Sequence, residues 1–270
     1  MSSQPFISRW ERFPVVGSTN DVVRDWLAAG TPEVCLATAD EQLAGRGREG
    51  RTWIAPPGSA LLLSLGFRPS WLEPERAWRL AATASLSMAE AAEHATGLPA
   101  GTVRLKWPND LVLEADGNPW RKLGGVLGET DGLGTDDPRV VIGMGVNADW
   151  AEADFPPQLA STMTSLRVAA GGRRIDPAGL LEAFLDGLEG RVGALKAGWF
   201  DFAGWHARQA TTGRTVRLEL PNGAAHVVRA VDVDADTGAL VVEDRPGAGA
   251  RHVLSGEVRH IRLSVSAAGV

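Results

Sequence analysis

Trp10 to Val16 reads as a strand, after which the chain changes period. Gly17-Ser18-Thr19-Asn20 supplies hydroxyl and amide caps for a helix that carries Val22, Val23, Trp26 and Leu27 on one side and is closed by Gly30. Glu33 to Thr38 is a second strand. Ala60 to Phe67 is a strand apolar on both faces, and Ala77 to Thr96 is a long Ala-rich helix begun near Pro74. Val103 to Lys106, Leu111 to Leu113, Leu123 to Glu129 and Arg139 to Val146 are extended, with a turn at Ala115-Asp116-Gly117-Asn118-Pro119. Asp176 as cap and Pro177 in the first helical position start a helix bearing Leu180, Leu181, Phe184, Leu185 and Leu188. The pattern predicts an α+β fold, a mixed sheet with helices on one side.

Near Thr211-Thr212-Gly213 the pattern shifts. From Thr215 to Leu263 every segment is short and β-branched, punctuated by Asn222-Gly223, Thr237-Gly238 or Pro246-Gly247, with no helical period. A small all-β barrel of about five strands is expected there. The division falls into an α+β unit over 1–210 and a β module over 211–270.

Composition narrows the class without naming it. The 270 residues are 44% hydrophobic and 22% charged, the balance of a globular protein. A net charge of -6 argues against a protein that coats nucleic acid, so clustered arginines mark a local site. Cys35 is the single cysteine, in an apolar run where a buried thiol is expected, and no internal disulfide can form. The chain shows no basic-then-apolar leader and no membrane-length apolar run, from which a cytoplasmic protein with no membrane partner is expected. Ten Trp against no Tyr is an odd aromatic balance that points to no particular chemistry.

Three islands carry the chemistry: GRGREGRTW at 45–53, KWPND at 106–110 and KLGG at 122–125. The first places Arg46, Arg48 and Arg51 on a loop whose glycines leave the backbone free to close over an anion. It also satisfies the dinucleotide pattern GxGxxG, but a helix must begin at the third glycine, and Thr52-Trp53-Ile54-Ala55-Pro56-Pro57-Gly58 does not continue as one. A disordered RGG-type segment would need repetition, and a plain solvated turn would not account for the lysine motifs downstream. In KWPND, Pro108 fixes a turn that projects Asn109 and Asp110 from a strand end, beside Lys106. Lys122 opens an apolar strand whose Gly124 and Gly125 weaken it unless something must approach the backbone closely. The five His are scattered without ligand spacing, and neither a nucleophile elbow nor a Walker loop occurs.

Ser18-Thr19-Asn20, Gln42 with GRGREGRTW, KWPND, KLGG and Gly143-Met144-Gly145-Val146-Asn147 stand in the order and approximate spacing of the biotin protein ligases. Thr164-Ser165-Leu166 and Ser255-Gly256-Glu257-Val258 extend the resemblance over essentially the whole chain. It implies a class II synthetase-type catalytic domain over 1–210 and an SH3-like barrel over 211–270. Some members also carry an N-terminal winged helix; with the first strand beginning near Trp10, the monofunctional form, with no DNA partner, is expected. The chain departs in a lengthened turn at Glu114 to Trp120, a Gly/Asp-rich stretch at Thr130 to Pro138, and Val228-Arg229-Ala230-Val231-Asp232 where a glycine is more usual.

The resemblance further implies that the biotin carboxylate attacks the α-phosphorus of ATP to give biotinyl-5'-AMP, which a lysine of a biotin carboxyl carrier domain then takes up. Ser18, Thr19, Asn20 and Gln42 would line the biotin site, with Arg46, Gly47 and Arg48 closing over it. Lys122, counted with the biotin site as well, and Arg48 would offset the two anions, with Mg²⁺ on the ATP phosphates; no residue is assigned to the metal. Arg51, Trp53, Asn109 and Asn147 would join Arg48 and Lys122 in holding ATP. Asp110 is the candidate for orienting or deprotonating the acceptor lysine. Two alternatives stand beside this reading: a lipoate or octanoate ligase or transferase, and a non-catalytic ligand sensor or nucleic-acid-binding module.

Overall fold

The computed structural model describes residues 6–115, 118–245, 247, 249–254 and 257–260. The tip of the turn at Asp116-Gly117, Pro246, Ser255-Gly256 and the stretch to Leu263 lie outside them. Elements run β1 (Arg9–Val16), α1 (Thr19–Ala28), β2 (Cys35–Gln42), β3 (Ala60–Phe67), α2 (Trp78–Thr96), β4 (Arg104–Lys106), β5 (Asp110–Ala115), β6 (Asn118–Asp131) and β7 (Arg139–Asn147). They continue as α3 (Leu166–Ala169), α4 (Pro177–Lys196), α5 (Phe202–Ala207), β8 (Thr215–Glu219), β9 (Ala225–Val233), β10 (Leu240–Glu243), β11 (Arg251–Val253) and β12 (Glu257–His260).

The first seven strands form one mixed sheet in the order β1-β2-β3-β7-β6-β5-β4, parallel only between β1 and β2. Helices cover both of its faces, not one as the pattern predicts. Leu36, Leu61, Leu63, Leu65, Val140 and Ile142 share a core with α2 and α4, whereas Cys35, Ala37 and Val141 pack with Val23, Trp26 and Leu27 of α1. The alternation explains why β3 reads as apolar on both sides: every residue of it is buried. Gly66 marks how tightly α1 docks, since a Cβ there would lie 2.7 Å from Val23 Cγ1 of that helix. Burial pushes the Cys35 thiol up to about 11, which keeps it protonated and unreactive.

The last five strands form a second, antiparallel sheet in the order β11-β10-β9-β8-β12. Among the described residues it is an open sheet, since no pairing joins its two edge strands. Its inner residues Val216, Leu218, Val228, Ala230 and Val242 belong to the same apolar core as α2 and the large sheet. No described helix is long and apolar enough to cross a membrane.

One buried ion pair fastens the approach to the second sheet. Arg208, just after α5, donates from Nη1 and Nη2 to the two Glu93 oxygens of α2 at 2.7 and 2.9 Å. Glu93 Oε1 also accepts from the Val103 amide, and Arg208 Nη1 donates to the Val103 carbonyl, so both carboxylate oxygens have a donor. Removing one partner strands the other charge. Glu93→Ala should therefore cost about 3–5 kcal/mol in urea unfolding. A loss below about 1 kcal/mol would place the pair with weak surface bridges.

Candidate active site

The site lies on the α1 face of the large sheet, where side chains become small. Ser64, Gly143 and Leu127 stand side by side across β3, β7 and β6, and Leu62, Gly145 and Gly125 form the next row. A Cβ on Gly143 would run into the Asn20 amide, and one on Gly145 would lie 2.5 Å from the Trp53 ring. The two glycines of GMGVN thus let α1 and the glycine loop descend onto the sheet. The result is a cavity of about 290 Å³.

Every residue given a role at the site lines this cavity: Ser18, Thr19, Asn20, Gln42, Arg46, Gly47, Arg48, Arg51, Trp53, Asn109, Asp110, Lys122 and Asn147. Segments more than a hundred residues apart converge there. Lys106 lines it as well.

One end is polar and buried. Ser18, Thr19 and Asn20 are at most 5% exposed. Ser18 stands at the N-cap of α1, yet its side chain makes no capping bond. The neighbouring groups are committed to the cavity wall: the Thr19 amide and hydroxyl donate to Gln42 Oε1 at 2.7 and 2.9 Å, and the Ser64 hydroxyl lies 2.7 Å from Thr19 Oγ1 and 2.5 Å from Asn20 Oδ1. Asn20 Nδ2 and Trp53 Nε1 are buried without a hydrogen-bond partner among the described residues. Such orphaned donors cost stability unless a ligand accepts from them.

The glycine loop covers the opposite side. It is no helix: Arg46 bridges to Thr52, Trp53 N donates to the Gly45 carbonyl, and a single 3-10 turn spans Arg48–Gly50 with Glu49 at φ 57°. The dinucleotide pattern therefore lacks the helix it requires. Arg46 does not face the cavity as a lone cation. It forms a two-point pair with Asp21 at 2.8 and 2.9 Å and reaches Glu129 at 3.2 Å, which ties the loop to α1 and β6. Arg51 Nε donates to the Arg48 carbonyl at 3.3 Å.

The charged end is built by KWPND and KLGG. Lys122 Nζ lies 2.6 Å from one Asp110 oxygen, Lys106 Nζ lies 3.4 Å from the other, and the Lys122 ammonium stands 5.7 Å from the Trp53 ring centre. Burial pushes the Asp110 carboxyl up, but the Lys122 and Lys106 charges and hydrogen bonds outweigh it and hold the group below the usual carboxylate range. Asn109 fastens the turn to β6, donating from Nδ2 to the Val126 carbonyl at 2.8 Å and accepting from the Val126 amide at 2.9 Å. Asn147 Nδ2 donates to the Thr164 carbonyl at 2.9 Å. The group carries two cations for one anion. It can hold an anionic ligand.

The apolar wall was not foreseen. Trp150, Leu159, Thr162 and Met163 line the cavity from the segment before α3, and Lys122 pairs with that segment through Thr162 and Thr164. The only sequence signal was Thr164-Ser165-Leu166, read as part of a resemblance. Among the described residues no group of three His, Cys, Asp or Glu is placed to hold a metal, and Asp110 is already taken up by two ammonium groups. These residues do not form a resident metal site.

The Biotin/lipoate A/B protein ligase family model matches residues 12–147. A relative named biotin–[acetyl-CoA-carboxylase] ligase from Mycobacterium tuberculosis is 34% identical over 94% of this chain and 91% of its own length. A namesake from Paracoccus denitrificans is 31% identical over 82% of this chain and 89% of its own length. Among solved structures, a biotin protein ligase from Aquifex aeolicus in complex with biotin and ATP has a similar fold, with a TM-score of 0.75 and 23% identity over 94% of this chain and 99% of that one.

Asp110 gives the site a pH signature. Its folded pKa lies below its unfolded one, so its contribution to stability is complete above the unfolded value of about 4 and is lost as pH falls through the folded value. Asp110→Asn should lower stability at pH 7 by about 1–3 kcal/mol. The gap to wild type should narrow as pH falls from the unfolded value through the lowered folded one. A gap that persisted unchanged in acid would show that the ion pairs contribute nothing.

Proposed function

This chain belongs to the biotin/lipoate A/B protein ligase family, and from that premise we propose that it works as a biotin protein ligase with the residues of this cavity in named roles. The ligase joins biotin to ATP, forming biotinyl-5'-AMP and releasing pyrophosphate, and passes biotin to a lysine amine with release of AMP. The observation that carries the assignment of roles is the convergence of all the candidate residues on one cavity that is polar at one end and cationic at the other.

In the first step a carboxylate must approach a triphosphate. Repulsion between the two is strong where water is excluded, so fixed cations have to be present before the ligands arrive. Lys122 and Arg48 take that role, with Asp110 fixing Lys122 in place and Lys106 paired to the other Asp110 oxygen. Thr19, Asn20 and Gln42, with Ser18, meet the ureido ring of biotin. The buried Asn20 Nδ2 is a donor still without an acceptor, and the ureido oxygen is of the right chemistry to supply one. Arg46, Gly47 and Arg48 form the cover, Trp53 offers a ring to adenine, and Arg51, Asn109 and Asn147 reach the ribose and phosphates. Magnesium enters as the counter-ion of ATP.

The acceptor is a biotin carboxyl carrier domain. Its lysine must shed a proton before attack, since the reference pKa of about 10.4 leaves it charged at neutral pH. Asp110 is the candidate for orienting or deprotonating that lysine; its pairing with Lys122 and Lys106 holds it ionised and favours the orienting role. Residues 211–270 are assigned to an SH3-like barrel beside the catalytic unit of 1–210; the five antiparallel strands support this. A lipoate substrate is disfavoured because its dithiolane offers the polar end no hydrogen-bonding groups.

Biotin should support exchange of pyrophosphate into ATP, and lipoate should not. Equal exchange with both, or none with biotin, would remove the assignment. Lys122→Ala should slow exchange by about a hundredfold or more, the usual consequence of deleting a group aimed at developing charge. A near-normal rate would reduce Lys122 to a strand lysine.

A further inference from the structure

KWPND holds one residue that the cavity does not use. Lys106, Pro108, Asn109 and Asp110 line the site, but the Trp107 ring is 5% exposed and turned away from it. Its Nε1 donates to the Gly238 carbonyl at 3.1 Å, and its backbone amide donates to Thr211 Oγ1 at 3.2 Å. Both partners belong to the second sheet or to the chain entering it. The active-site turn is therefore anchored from behind, across the boundary between the sheets.

Gly238 sits in a turn built to stay rigid. Asp234 Oδ1 accepts from the Asp236 amide at 3.1 Å, the Thr237 amide at 2.7 Å and the Thr237 hydroxyl at 2.6 Å, while the Gly238 amide closes on the Asp234 carbonyl at 2.9 Å. Its carbonyls face the catalytic unit: Trp78 Nε1 donates to Asp236 O at 2.9 Å and Arg79 Nη2 to Ala235 O at 3.1 Å. Position 238 must be glycine twice over. Its φ is +68°, and a Cβ would meet the Trp78 ring at 2.8 Å. Trp78 in turn meets Phe200 edge to face and packs at a tilt against Trp205, so the platform under the turn is itself braced.

We propose that the turn from Asp234 to Gly238 is a positioning element of the ligase reaction, setting the Lys106–Asp110 turn through Trp107. The proposal rests on the reading of the cavity given above. Displacing Trp107 tilts its neighbours Lys106 and Asp110 together, and Asp110 carries the disturbance to Lys122 at 2.6 Å. The biotin end is insulated from this lever. Thr19, Asn20, Gln42 and Ser64 bond to one another and come from α1, β2 and β3, none of which this turn touches through the bonds just described. Disturbing the turn should therefore slow the chemical step far more than it weakens biotin binding, whose ureido contacts lie outside this lever.

The test uses the full chain, with wild type, Trp107→Phe and Gly238→Ala side by side. Trp107→Phe deletes the N–H while keeping an aromatic ring; Gly238→Ala shifts the turn. Melting by circular dichroism confirms folding, and if Gly238→Ala does not fold, Trp107→Phe decides. In biotin-dependent pyrophosphate exchange, kcat should fall about tenfold or more while KM for biotin stays within about twofold. Amide hydrogen exchange of residues 104–111 should quicken, and that of residues 18–42 should not. A folded Trp107→Phe with wild-type kcat, or one in which kcat and KM for biotin shift together, would overturn the proposal. Wild type lacking biotin-dependent exchange would overturn the reading of the cavity and this inference with it; wild-type activity with indifferent variants overturns the inference alone.

Discussion

Asp110 between Lys106 and Lys122 is the constraint on which the site depends. A lone ammonium on a strand, here four residues inside the start of β6, has little reason to hold one position, because its stem is flexible and water competes for its charge. A carboxylate 2.6 Å away gives Lys122 a fixed place while leaving the three-membered group with a surplus positive charge. That surplus is available to an anionic ligand. The same pairing sets the protonation of Asp110, so one contact decides both the aim of the cation and the chemistry the carboxylate can perform.

Everything else serves to bring that group opposite a buried, polar end. The sheet supplies a floor of small residues, since Gly143 and Gly145 leave room for Asn20 and Trp53 where any side chain would lift them away. The helix α1 gives up a side-chain cap at Ser18, and the hydroxyl and amide after it join the cavity wall instead. Arg46 locks the loop to Asp21 and Glu129, so the cover is placed by ion pairs within the protein as well as by whatever lies beneath it. Local stability is traded for a prepared site, a pattern expected where sequence and fold conflict.

Much of this was legible in the sequence. Strand and helix positions followed from apolar runs, Asp176-Pro177 marked the start of α4, and the glycine motifs pointed to close approaches that the structure contains. Three features were not. Helices on both faces of the sheet could not be read, because β3 is apolar throughout and a fully buried strand does not say what covers each side. The partners of Arg46 lie 25 and 83 residues away, beyond any local pattern. The apolar wall of Trp150, Leu159 and Met163 sits in an irregular segment, where no period exists to betray it. The surplus of tryptophan gains a physical account at the seams: Trp78 and Trp107 each use a ring for packing and an N–H for a carbonyl across the boundary, which Phe could not do and which leaves no trace in periodicity.

The central claim is that one cavity unites biotin and ATP and keeps their product. Mixing stoichiometric protein with biotin and MgATP, separating protein from free ligand by gel filtration, and analysing the protein fraction by mass spectrometry addresses it directly. The account predicts close to one equivalent of biotinyl-5'-AMP travelling with the protein, and none when lipoate replaces biotin. Protein that emerges with no adenylate, or with as much lipoyl-adenylate as biotinyl-adenylate, would contradict it.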